Sequence, residues 1–260
     1  MKQIFTMLVM LSVVFDSHAQ TILKGDINGD GQVSIADVTS LVNIILGKTP
    51  PDVIDNDEHE YVDLGLPSGT LWATCNVGAA NPEDYGDYFA WGETEGYNSG
   101  KTEFSWSTYK WCNGSYNTLT KYNTDSNYGV VDNETELDLE DDAAYVNWGA
   151  EWCMPSLEQF RELINNSYTT TEWITQNGVD GFKITSNANG NSIFLPSAGY
   201  RVNSSLDDAG SDGFGYYCSR SLFGSYPFNM RNLLFYPDFI DTGNETRSCG
   251  QSVRPVRLSE

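Results

Sequence analysis

Tyr61-Val62-Asp63-Leu64-Gly65-Leu66-Pro67-Ser68-Gly69-Thr70-Leu71-Trp72-Ala73-Thr74-Cys75-Asn76-Val77-Gly78 opens the larger part of the chain. Two apolar, β-prone pieces, Tyr61–Leu64 and Thr70–Cys75, flank a Gly/Pro/Ser turn, the pattern of short paired strands. Similar pieces follow at Tyr88–Trp91, Phe182–Thr185, Ser192–Leu195, Gly215–Ser219, Leu233–Tyr236 and Ser252–Arg257. One helix is expected after Met154-Pro155-Ser156. Ser156 can cap it, and Leu157, Phe160, Leu163 and Ile164 supply its apolar stripe. A weaker helical turn is expected over Leu139–Tyr145. Trp72, Trp91 and Trp152 lie in apolar surroundings and read as core.

Gly96–Asp132 is different. It is poor in aliphatic residues and rich in Tyr, Asn, Ser and Thr, so it reads as an ordered insertion or surface loops. Aromatic faces beside amide and hydroxyl groups can hold sugar rings, by stacking together with hydrogen bonds to hydroxyls. Trp106, Tyr109, Trp111, Tyr116 and Tyr122 are the candidates for such a role; the other reading is that these rings pack the loops onto the sheet. The acidic runs Glu140-Asp141-Asp142 and Asp207-Asp208 read as solvated turns or minor calcium sites.

Upstream, Asp52–Glu60 is acidic and polar, and residues 49–60 read as a linker. Before it, Asp26, Asn28, Asp30, Gln32, Ser34 and Asp37 occupy positions 1, 3, 5, 7, 9 and 12 of a calcium loop, with Gly31 at the sharp turn. Calcium needs six to eight hard oxygen ligands, and these residues, with the Gln32 carbonyl, can supply them. Val38, Leu41, Val42, Ile45 and Leu46 then repeat at helical spacing until Gly47 and Pro50-Pro51. The first residues read as an export signal. Lys2 precedes an apolar run from Ile4 to Phe15, and Ser17-His18-Ala19 is a small-x-small cleavage site.

The whole chain has 260 residues and a net charge of −22, from 36 acidic against 14 basic side chains. Such a surface repels phosphate backbones and anionic lipid, which argues against nucleic-acid binding and peripheral membrane binding, and no stretch after the signal reaches transmembrane length, so no membrane insertion is expected. Calcium and neutral polymers remain compatible partners. His59 is the one histidine beyond the signal, and it falls in the linker, which disfavours histidine-based catalysis. The five cysteines match no zinc spacing.

The stretch 25–48 resembles a single dockerin type I repeat, to which the Asp at loop position 12 belongs. That resemblance implies calcium binding and docking to a cohesin-like or other surface protein, with Ile35 and Ala36 at the partner-selecting positions. The Tyr61–Gly78 stretch is followed by Tyr85-Gly86-Asp87-Tyr88-Phe89-Ala90-Trp91-Gly92-Glu93, Trp152-Cys153-Met154-Pro155-Ser156, Leu195-Pro196-Ser197-Ala198-Gly199-Tyr200-Arg201 and Ser252-Val253-Arg254-Pro255-Val256-Arg257. This series resembles the Fibrobacter succinogenes major paralogous domain over nearly all of residues 61–258. It implies an α+β fold of the C-type-lectin-like and formylglycine-generating-enzyme-like kind, built from short antiparallel strands with one or two helices. Cys218 and Cys249 stand where that family carries aromatic residues on neighbouring strands, which implies a Cys218–Cys249 disulfide. Cys75 with Cys153 is a second pairing, and Cys112 is then the odd thiol.

The expectation is therefore an exported or cell-surface protein: signal 1–19, calcium loop and helix 25–48, linker 49–60, and a binding domain 61–258. Its work would be attachment to glycan or protein without catalysis. The alternative is a carbohydrate-active or formylglycine-generating-like enzyme.

Overall fold

In a computed structural model, residues 59–210 and 213–258 are described. The calcium loop, its helix and the export signal lie outside them, as do Ile35 and Ala36. The described residues belong to one unit of the chain, Glu58–Glu260.

Tyr61–Asp63 (β1) and Thr70–Ala73 (β2) pair antiparallel across the turn, as the opening stretch requires, and Val256–Leu258 (β11) joins the other edge of β2. Trp72 therefore sits at the centre of a sheet whose third strand comes from the far end of the domain. Its side chain is fully buried, with its ring 5.7 Å from that of Phe160.

Thr169–Gln176 (β3), Val179–Ser186 (β4) and Ser192–Pro196 (β5) form a second antiparallel sheet. The β3–β4 turn is Asn177-Gly178, with φ of 49° and 86°, the left-handed pair that matches the twist of a two-residue hairpin. Tyr200–Val202 (β6) and Ser205–Asp207 (β7) make a small ribbon. Gly215–Leu222 (β8), Asn229–Tyr236 (β9) and Phe239–Thr246 (β10) form the third three-stranded sheet.

Two short α-helices lie among the described residues. Ala143–Trp148 (α1) is capped by Asp142, which accepts from the Ala144 and Tyr145 amides. Leu157–Leu163 (α2) carries a capping box: Ser156 Oγ accepts from Gln159 N, and Gln159 Oε1 accepts from Ser156 N. Its apolar side buries Phe160 and Leu163 against Trp72, Phe182, Leu233 and Phe235.

The expected α+β, C-type-lectin-like class is overturned. The structure is mostly β, with 37% of residues in strands against 10% helical, arranged as several small antiparallel sheets without a closed barrel among the described residues. The two helices are too short to form a layer. Tyr88–Trp91, expected as a strand, is reduced to a single bridge between Phe89 and Gln251. Trp72, Trp91 and Trp152 are core residues, each no more than 1% exposed. His59, expected within the linker 49–60, stacks on Trp148 with ring centroids 3.6 Å apart. No described helix is long and apolar enough to cross a membrane.

Candidate binding surface

The segment 96–132 has little regular structure, yet it is built into the domain. Phe104 is buried and bridges Asn203. Leu119 bridges Gly129, with Leu119 N donating to Tyr128 O at 2.7 Å and Val130 N to Leu119 O at 2.8 Å. At its centre lies Arg247, fully buried. Its guanidinium donates to Tyr109 Oη at 2.7 Å and, at 2.8 Å each, to the carbonyls of Tyr122, Pro227 and Lys121. It also lies 5.1 Å from the Trp91 ring.

This arrangement sorts the five aromatic candidates. Tyr109 and Tyr122 are 3% and 0% exposed, so they cannot meet a ligand and are corrected to core positions. Tyr109 Oη donates to the Trp91 carbonyl, and Tyr122 Oη to Asp141. Trp111 is half-buried. Its Nε1 donates to Gly92 O, and the Lys110 and Lys121 ammoniums lie 4.2 and 5.1 Å from its ring. Trp106 and Tyr116 remain, with ring centroids 6.4 Å apart.

These two begin a strip that composition did not reveal. Tyr116 lies 6.3 Å from Tyr128 and 5.6 Å from Phe228. Phe228 continues to Tyr226 at 5.8 Å, and Tyr226 to Phe223 at 5.7 Å. Arg231 caps the far end, 4.1 Å from the Phe223 ring. Tyr116 and Tyr226 are 47% and 52% exposed. Tyr128 belongs to the aromatic segment 96–132 itself, whereas the missed members Phe223, Tyr226 and Phe228 come from around the β8–β9 turn, far away in sequence. The signal was the cluster Phe223, Tyr226 and Phe228 around Gly224-Ser225 and Pro227, a turn carrying three rings.

A polar cleft of about 540 Å³ is walled by Glu93, Glu95, Lys101, Thr102, Glu103, Thr108 and Lys110. The segment 101–110 thus supplies both this wall and Trp106. At its base, Glu93 pairs with Lys101 at 2.6 Å, both side chains nearly enclosed.

Within the run Glu140-Asp141-Asp142, Glu140 is exposed as a solvated turn would have it, but its two neighbours are not. Asp141 and Asp142 are buried. Burial pulls the Asp141 carboxyl upward, but hydrogen bonds from Lys121, Tyr122 and Lys110 outweigh it and hold the group below the ordinary carboxylate range. Asp142 is raised by burial, against the backbone amides of Met154, Tyr145 and Ala144. Asp138, Glu140 and Asp141 bring carboxylate oxygens within 4.8 Å of one another, a group that could hold a metal ion. Lys121 already bridges Asp138 and Asp141, so a cation would compete with an ammonium.

All five cysteines are free thiols. The implied Cys218–Cys249 bridge is not formed, nor is Cys75–Cys153. Cys218 Sγ faces Gln251 Oε1 at 3.9 Å instead. Burial pushes the Cys218 thiol far up and that of Cys249 to about 12.

Comparison with family models, with curated proteins and with solved structures finds no match to this chain.

The buried thiols make stability depend on pH. An unfolded thiol ionises near pH 8.5, while Cys249 keeps its proton to about 12. The unfolded chain therefore binds fewer protons than the folded one above about pH 8.5, and stability falls as pH rises through that window. Below it nothing is lost. Iodoacetamide at pH 8.5 should modify Cys218 and Cys249 slowly in the native protein and completely in urea. Equal rates in both, read by mass spectrometry, would contradict the burial.

Proposed function

We propose that this chain is an exported, non-catalytic attachment protein that binds glycan along the strip from Trp106 to Phe223. The observation carrying this reading is the run of half-exposed rings on a framework locked by buried Arg247. Ring faces offer sugar C–H groups a large apolar surface at small entropic cost. The cleft walled by Glu93, Lys101 and Thr108 offers carboxylate acceptors, ammonium donors and threonine hydroxyls, the mixture that suits a neutral, hydroxyl-rich ligand.

The non-catalytic reading is supported by the state of the nucleophiles. A reactive cysteine needs a lowered pKa, whereas those of Cys153, Cys218 and Cys249 are raised, in each case chiefly by burial. His59 is stacked on Trp148, with ring centroids 3.6 Å apart.

The N-terminal loop, Asp26 to Asp37, is proposed to bind calcium and to tether the domain to a cohesin-like or other surface protein through Ile35 and Ala36. This part rests on the dockerin resemblance, and the Fibrobacter succinogenes paralogous-domain resemblance likewise supports export rather than catalysis.

A glycan array probed with the mature chain, followed by product analysis on any glycan retained, tests the reading. Retention without released reducing sugar is expected. Release of product, or no retention of any glycan, would overturn it.

A further inference from the structure

We infer that the open end of the β8–β9–β10 sheet face docks an arginine- or lysine-bearing segment of a partner protein, on five rings of its own. This surface is separate from the Trp106–Phe223 strip, and the inference does not depend on the strip. Tyr200 lies 4.9 Å from Tyr216, and Tyr216 stacks on Phe214 at 6.1 Å. Phe214 continues to Tyr236 at 5.2 Å, and Tyr236 stacks on Phe239 at 4.8 Å. Tyr236 and Phe239 are 37% and 38% exposed, and the other three rings are half-buried. A contiguous patch of this kind marks a binding face.

The sheet register assembles the rings. β9 and β10 turn at Pro237-Asp238, which sets Phe239 opposite Tyr236. Tyr216 on β8 pairs with Leu234, two residues before Tyr236, so Tyr216, Tyr236 and Phe239 share one face. Tyr200 comes from the β6–β7 ribbon, where it stands opposite Asp207.

Charge selects the occupant. Asp208 accepts from Tyr216 Oη at 3.5 Å. Burial raises the Tyr200 and Tyr216 phenols, and the charges of Asp208 and Glu245 push both higher, so these carboxylates act on the rings. Among the described residues, none of Asp207, Asp208 and Glu245 pairs with a Lys or Arg. No described Lys or Arg lies over any of the five rings either. On the Trp106–Phe223 strip, by contrast, Arg231 already stands at the Phe223 ring. An aromatic face attracts a cation, and a guanidinium can stack on it while its edge meets a carboxylate. The rings and acids here offer both contacts. A second copy of this chain would set the same carboxylates against one another, and a net charge of −22 opposes such pairing. A partner of opposite charge is the complement.

The test is calorimetric titration of an acetylated pentapeptide of alternating arginine and glycine into the purified mature chain. The same peptide with citrulline in place of arginine is the neutral control. The arginine peptide should bind at least tenfold more tightly than the citrulline peptide. Tyr236→Ala with Phe239→Ala should weaken it at least tenfold at an unchanged melting midpoint, and Asp208→Asn several-fold. Tyr116→Ala with Tyr226→Ala should leave it unchanged, which separates this face from the strip. No binding, or equal binding of the two peptides, would overturn the proposal. So would undiminished binding in the folded variants of this face, which would mean general attraction to an acidic surface. Loss of glycan binding in the Tyr236→Ala, Phe239→Ala protein would also overturn it, since a sugar would then be the occupant.

Discussion

Replacing Arg247 by Met should cost about 3–5 kcal/mol of folding stability, enough to leave a marginally stable domain largely unfolded. Arg247 is completely buried and its hydrogen-bond partners are neutral: three carbonyls and one hydroxyl. Exchanging a whole buried ion pair for apolar residues is often harmless, because both charged partners leave together. Here the acceptors cannot leave. Methionine fills much of the volume, but the carbonyls of Lys121, Tyr122 and Pro227 would lose their donor, and buried unsatisfied groups cost about 1–3 kcal/mol each. Lysine should not rescue the fold, since a compact ammonium cannot span four acceptors as a guanidinium does. Urea denaturation followed by tryptophan fluorescence reads the effect. A loss below about 1 kcal/mol for Arg247→Met would mean that the network is incidental.

The second large effect is expected at Gly129. Its φ is 135°, and a Cβ placed there would lie 2.2 Å from Leu119 O and 2.5 Å from Leu119 N. Both obstacles are backbone, locked by the bonds from Leu119 N to Tyr128 O and from Val130 N to Leu119 O. Gly129→Ala must therefore break that bridge or shift both segments, at about 3 kcal/mol or more. Gly114 supplies the control. Its φ is 86°, but nothing lies within 4 Å of its added Cβ, so Gly114→Ala should cost only the backbone strain, about 1 kcal/mol. Because Tyr128 precedes Gly129 and packs on Phe228 at 5.1 Å, Gly129→Ala should also weaken ligand binding on the strip. Similar midpoints for the two variants in thermal denaturation would contradict the steric argument.

Both predictions concern the segment 96–132, where composition was least informative. Local sequence placed Trp72, Trp91 and Trp152 in the core because each sits within an apolar run, and Ser156 announced α2 as a cap ahead of the stripe Leu157, Phe160, Leu163 and Ile164. Strands β3 and β10 went unread, although Asn177-Gly178 between β-branched residues is a strong hairpin signal. Adding those hairpins is what moves the class from α+β to mostly β. The five aromatic candidates could not be sorted locally. Tyr109 and Tyr122 are buried because Arg247, 138 and 125 residues away, draws them inward, while Trp106 and Tyr116 stand among the same neighbours and remain accessible. Asp141 likewise looked like part of a solvated turn until Lys110, Lys121 and Tyr122 closed over it.

What these parts have in common is a rigid base for a soft, aromatic contact surface. Titration calorimetry of an array-selected glycan into the wild-type chain and into the Tyr116→Ala, Tyr226→Ala double variant tests that claim most directly. Binding weakened at least tenfold by the double substitution, with an unchanged melting midpoint, is the expected result. Undiminished affinity in the folded double variant would show that the strip is not where the ligand rests.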